Sequence, residues 1–241
     1  MHSVKMNAML VAAAGFIVAS ILPVHAADIT GKVTLDGTPP KELVIQPLMD
    51  DPNYGKLHPN GPVTTRNYLV SSDKGLANTF VYVKAGLEGK KFDLPTVPEH
   101  VLNWGFLPEP YIMGVMVNQK IKIRAADVSD NVHTLSSHSR NAFNFALMSK
   151  GQENEWSFGF PELPITVKCD VHNWSSSYIG VFDHPFFAVT DADGTFQISG
   201  LPPGKYTLEA FHRRAGKVTR EIMVDGSRQK VDFTLKVPSQ R

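Results

Sequence analysis

The stretch ITVKCDVHNW, Ile165–Trp174, bears on both the fold and the chemistry of this chain. Ile165, Val167, Cys169 and Val171 alternate with Thr166, Lys168 and Asp170. A period of two marks a half-buried strand, so the four odd-numbered side chains are expected to face inward. Lys230–Val237 repeats the pattern, with Val231, Phe233, Leu235 and Val237 on one face. Further strand candidates are Thr30–Leu35, Thr79–Lys84, Met113–Val117, Ile121–Arg124, Thr195–Ile198, Tyr206–Phe211 and Arg220–Val224. Turn signals separate them: Asp36-Gly37, Asp193-Gly194, Pro202-Pro203-Gly204 and Asp225-Gly226. No long segment after residue 27 has a helical period, although Ser139–Met148 has room for a turn or two. Many short strands with regular turns indicate an all-β protein, a sandwich or a barrel.

Composition agrees with a packed globular chain. Of 241 residues, 42% are hydrophobic and 20% charged, which excludes disorder, collagen-like repeats and coiled coils as readings of the whole. A formal charge of +1 excludes a general electrostatic grip on nucleic acid. Residues 1–26 read as a secretory signal: Lys5 without an acid, an apolar run Ala8–Leu22, and Val24-His25-Ala26 as the cleavage signal. Cleavage is expected after Ala26, which removes Lys5 and leaves the basic and acidic counts equal. The apolar run is shorter than the ~20 residues that span a bilayer, and no cysteine follows the cut to carry a lipid. The expected mature protein is exported, periplasmic or secreted, with no transmembrane segment.

Export gives weight to the single cysteine, because exported chains usually carry cysteines in pairs. Cys169-Asp170-Val171-His172 is Cys-x-x-His at a strand end, a spacing that lets a thiolate and an imidazole converge on one metal. Soft thiolate with imidazole is a donor set that suits copper. Asp130-Asn131-Val132-His133, expected in a loop downstream of Ile121–Arg124, can supply a third donor. The competing reading is a buried, inert thiol packed as a small hydrophobe, with a surface histidine nearby.

The C-terminal part, TDADGTFQISGLPPGKYTLEAFH (Thr190–His212), resembles the carboxypeptidase regulatory-like, transthyretin-type β-sandwich. Gly31–Pro40 and Phe80–Lys84 look like its first two strands. The resemblance implies a discontinuous module with a second domain inserted in it. The expected division is 27–94 for the first strands of the regulatory-like sandwich, 95–185 for the insert, 186–237 for the remainder, and 238–241 as a tail.

The insert resembles exported cupredoxin-like proteins. The matching stretches are Cys169–Trp174, Tyr178–Val181 and His184–Thr190. That resemblance implies a cupredoxin-like β-sandwich binding one copper for electron transfer or copper handling, with a redox partner protein. It also implies that Cys169 and His172 are the thiolate and one imidazole of the site. Family positions differ, among them an upstream Cys and His that correspond to Phe106 and Tyr111, and two that bear on the ligands. The His-Asn-Val-His motif, whose first His is the usual ligand, reads Asp130-Asn131-Val132-His133, so Asp130 stands at the ligand position and His133 at the second one. The axial methionine position holds Ser175.

A site of Cys169, His172, Asp130 and His133 would favour Cu(II) and a low reduction potential, because carboxylate is a harder donor than imidazole or thioether. Nitrosocyanin-like red-copper proteins combine Cys, His and carboxylate in a similar way. The alternative is a metal-free, degenerate cupredoxin serving as a structural or binding module of the cell envelope. If the metal reading holds, the Asp130 carboxylate or the His133 ring is expected within about 5 Å of the Cys169 sulfur, since bonds of ~2.0–2.3 Å to one ion demand near contact. Ser175 is expected at the vacant axial side and Trp174 as a shield. Met113 reads as core, His184 as a brace between the modules, and the other histidines as solvated or structural. Serine-hydrolase, zinc-peptidase and phosphate-loop signatures are all missing, so no enzyme is expected.

Overall fold

The computed structural model describes residues 26–52, 55–104, 107–126 and 130–239; the side chains of residues 55, 100, 102–104 and 130–135 lie outside that description. The expected leader falls outside it too, except for Ala26.

The first strands in chain order are β1 (Ala27–Asp36), β2 (Phe80–Ala85), β3 (Glu99–Trp104), β4 (Leu107–Glu109), β5 (Ile112–Met116) and β6 (Lys120–Ala125). Then come β7 (Asp130–Leu135), β8 (Asn144–Leu147), β9 (Glu153–Ser157), β10 (Glu162–Cys169), β11 (Ser176–Phe182) and β12 (Phe187–Val189). The chain closes with β13 (Thr195–Leu201), β14 (Gly204–His212), β15 (Gly216–Val224), β16 (Gln229–Lys230) and β17 (Phe233–Lys236). The protein is all-β; one five-residue helix, Gln46–Asp50, sits in the connection between β1 and β2. Among the described residues no helix is long and apolar enough to cross a membrane.

Four sheets form two sandwiches. One sheet has β1 between β13 and the β16–β17 segment; another runs β12-β2-β14-β15. Their inner faces share one core, in which Ile29, Val33 and Leu35 of β1 meet Val81 and Val83 of β2, Leu208 of β14 and Phe233 of β17. We call this the outer sandwich. The other two sheets run β5-β11-β10-β7-β8 and β4-β3-β6-β9. Their common core holds Val115, Ile121, Ile123, Phe158, Ile165, Val167 and Ile179. This is the middle sandwich. In both, the alternation expected from the sequence sets which side chains are buried.

The joint between them explains a departure from alternation. Phe80-Val81-Tyr82-Val83 is apolar throughout, as expected of a strand covered on both faces. Val81 and Val83 enter the outer core, while Phe80 and Tyr82 pack with Ile112 and Phe182 of the middle sandwich. Gly114 and Gly180 are paired on β5 and β11. A Cβ on Gly114 would stand 2.6 Å from the Phe187 ring, and one on Gly180 would stand 2.8 Å from Phe80. Their bare backbones let the second sandwich approach.

Two expectations are corrected, and a third, the short turn, holds. Val171 does not face the core: β10 ends at Cys169, and Val171 is 70% exposed. Asp130–His133 belongs to strand β7, paired on both edges, rather than to a loop. Ser139–Met148 gives a single 3-10 turn, Ser139–Asn141, and then strand β8.

Candidate metal centre

The β10–β11 connection is drawn tight by its own backbone. Cys169 N–H donates to the Ser175 carbonyl (3.1 Å) and Ser175 N–H donates to the His172 carbonyl (2.8 Å). Strand pairing resumes at once, with Ser176 opposite Lys168. The loop therefore reverses the chain immediately after Cys169, which is why Val171 leaves the alternation.

That closure brings Cys169 and His172 together. The Cys169 sulfur is 3.5 Å from His172 Nδ1 and accepts the His172 backbone N–H at 3.4 Å. Cys169 is only 2% exposed, whereas His172 is half-buried. Hydrogen bonds and apolar packing around a cysteine sulfur tune a thiolate–metal bond. Ser175 is buried at 1% exposure, and the Trp174 ring lies 5.3 Å from the His172 ring. Just outside the loop, Lys168 and Asp170 stand 3.7 Å apart on exposed ground.

Register places the other two candidates. Val132 of β7 stands opposite Cys169, and His133 stands opposite Lys168. Opposed residues share a sheet face and neighbours along a strand alternate. Position 130 therefore falls on the face of Cys169, and its β8 counterpart is the fully buried Leu147. Position 133 falls on the face of Lys168. The side chains of Asp130 and His133 lie outside the described residues, so the expected 5 Å contact does too. Among the described residues no cluster of three His, Cys, Asp or Glu is assembled.

The Cys169–His172 separation is that of a sulfur–imidazole hydrogen bond and is also compatible with two ligands on one ion. A thiolate and an imidazole bound to one ion at ~2.3 and ~2.1 Å in tetrahedral disposition stand about 3.6 Å apart. The sulfur–nitrogen separation here is 3.5 Å.

Several of the other histidines, and Met113, have structural contacts. His184 donates from Nε2 to the Val83 carbonyl (2.7 Å) and accepts Phe186 N–H at Nδ1 (3.1 Å), tying the end of the middle sandwich to β2. Burial holds its pKa below the ordinary value. His138 stacks on Phe160, and Met113 is core. Sequence reasoning missed the buried Ser177 hydroxyl and the Trp174 indole nitrogen, both without a hydrogen-bond partner among the described residues. The serine run Ser175-Ser176-Ser177 beside an otherwise apolar strand was the available signal.

Comparison with known proteins gives fold likeness alone. No protein-family model and no curated sequence matches the chain. A copper-containing nitrite reductase (NirK) from Thermus scotoductus SA-01 is 18% identical, with a TM-score of 0.34 over 42% of this chain. The chain spans about a quarter of that protein's length, 25%. A purple cupredoxin from Nitrosopumilus maritimus is 16% identical, TM-score 0.30, covering 34% of this chain and 98% of its own. An oxidised amicyanin mutant is 16% identical, TM-score 0.32, covering 42% and 97%. The structures that this all-β chain is similar to are thus cupredoxins, at low score and partial coverage.

Proposed function

We propose that this protein is an exported, non-enzymatic copper protein that carries electrons or handles copper, with Cys169 and His172 as its first two ligands. The observation that carries the reading is the Cys169 sulfur and His172 nitrogen held 3.5 Å apart by the tight β10–β11 connection. Register supports Asp130 over His133 as a third donor, because position 130 shares the face of Cys169. When bound, copper supplies one-electron redox chemistry. The protein's part is to keep the sulfur recessed, to aim an amide at it, and to shield the imidazole with Trp174.

The reading is tested by metal analysis of protein isolated from its native envelope. One copper per chain is expected, with Asp130→Ala weakening retention and His133→Ala leaving it unchanged. A metal-free protein whose thiol titrates in full on unfolding would instead establish the structural module that Asp130 and Ser175 would then mark.

A further inference from the structure

A second concentration of chemistry lies where Arg66-Asn67-Tyr68 meets the turn after β14. Arg213 Nη2 donates to Asn67 Oδ1 (2.9 Å) and to the Tyr111 hydroxyl (3.1 Å). Its guanidinium carbon lies 4.3 Å over the Tyr178 ring. Arg214 Nε donates to the same Asn67 oxygen at 2.9 Å. Arg66 lies 4.0 Å over the Tyr111 ring and pairs with Glu109. Two guanidinium groups thus converge on one neutral amide oxygen. Among the described residues no ion pair joins a carboxylate to Arg213 or Arg214; the nearby Glu109 pairs with Arg66. The positive field is felt inside the protein: burial first, then Arg213 and Arg214, push the His212 pKa down to about 4.

The surroundings point to a protein rather than a small ion. A groove of ≈ 580 Å³ runs beside Arg214, walled by Pro39, Pro40, Lys41, Tyr68 and Pro238. Glu42 borders it, but its carboxylate already accepts Asn67 N–H (2.9 Å), Tyr68 N–H (2.6 Å) and the Thr65 hydroxyl. Leu43 and Leu69 follow Glu42 and Tyr68 directly, so that hydrogen bond holds both at the same corner. They are 68% and 39% exposed. Arginine and tyrosine beside exposed apolar side chains make the composition that anchors protein interfaces. A guanidinium with spare N–H donors is suited to carboxylates, which it meets in a fork.

We propose that this corner docks an acidic segment of a partner protein, with Arg213 and Arg214 taking its carboxylates and Tyr68, Leu43 and Leu69 taking its apolar side chains. With basic and acidic residues almost balanced over the chain, attraction for an acidic segment has to come from a local patch rather than from net charge.

The test is an NMR titration of the purified protein with three probes: a capped peptide alternating glutamate and leucine, its lysine counterpart, and inorganic phosphate. The glutamate peptide should shift the amides of residues 42–43, 66–69 and 213–215, and its affinity should fall several-fold between ~0.05 and ~0.15 M salt. Arg214 is exposed, so Arg214→Gln should preserve the fold while weakening binding about tenfold. Lys150→Gln, an equal loss of charge in a turn of the middle sandwich, should leave binding unchanged. Absence of binding, equal binding to Arg214→Gln, or equal binding of the lysine peptide would overturn the proposal. Phosphate producing the same shifts at the same concentration would overturn it as well, by making the corner a small-anion site.

Discussion

The outer and middle sandwiches differ in where buried polar groups stay unpaired, although the middle one also closes some of its own, as Asn141 does with Phe160 and Glu162. In the outer one the polar atoms close upon each other. Thr190 accepts Thr79 N–H and donates to the Leu76 carbonyl. Glu209 takes both the Tyr82 hydroxyl and Lys84, and His212 Nδ1 accepts the N–H groups of Arg214 and Ala215. In the middle sandwich, Ser177 Oγ, Trp156 Nε1 and Trp174 Nε1 are buried without a partner among the described residues. Satisfied networks specify a fold, and each unsatisfied group calls for an explanation such as a water, an ion or a function. Two of those three groups flank the Cys169–His172 pair. The difference is therefore local: the unpaired atoms of the middle unit are Ser177, Trp156 and Trp174, and Trp174 lies beside His172.

The largest test of this contrast concerns the joint. Phe182 packs on Phe80, Tyr82 and Phe187, with ring centroids 6.2, 5.1 and 4.5 Å away. Phe182→Ala should cost about 3–5 kcal/mol, the usual loss for a large buried aromatic. It should also split a single denaturant transition into two as the sandwiches uncouple. One unbroken transition would show that the two units are a single cooperative body.

The next effect is pH-dependent and belongs to the outer sandwich. His212 is buried and neutral, with a pKa of about 4 against the ordinary 6.5. The unfolded chain therefore binds a proton below about 6.5 that the folded chain refuses until about 4. Stability supplied by the neutral ring is complete above 6.5 and falls as the pH drops between these values. The loss should be on the order of 3 kcal/mol, at ~1.4 kcal/mol per unit. His184, lowered in the same direction by burial, adds to it. Urea unfolding followed from pH 7 to 4 checks this, and His212→Gln should flatten the slope.

The smallest effect separates the two readings of Ile165–Val171. Val171→Ser should change stability by less than about 0.5 kcal/mol, as surface substitutions do. Val167→Ser, two turns of the pleat inward at 1% exposure, should be far more costly. Comparable losses would restore Val171 to the core.

Much of the fold is written in the alternation of Ile165–Cys169 and Val231–Leu235, because each of these stretches turns its apolar side chains to one core. What could not be read follows from pairing rather than propensity. Asp130–Leu135 is too polar to announce a strand; it becomes one because β10 and β8 satisfy its backbone on both edges. Glu153–Ser157 lies at a sheet edge with little to bury, and Glu99–Trp104 owes its place to its neighbours β4 and β6. The Cys-x-x-His spacing showed two members of the site. The sequence could not show that Ser175 closes the loop through its backbone, since any residue offers the same carbonyl. Nor could it show that positions 130 and 133 lie on opposite faces, which depends on one step of register.

The central claim is that Cys169 and His172 bind copper. Titrating Cu(II) into the purified protein tests it most directly. The account predicts a visible thiolate-to-copper absorption band that saturates at one copper per chain, disappears in Cys169→Ala, and shifts in His172→Ala. A protein that stays colourless, or a band that survives Cys169→Ala unchanged, would contradict it.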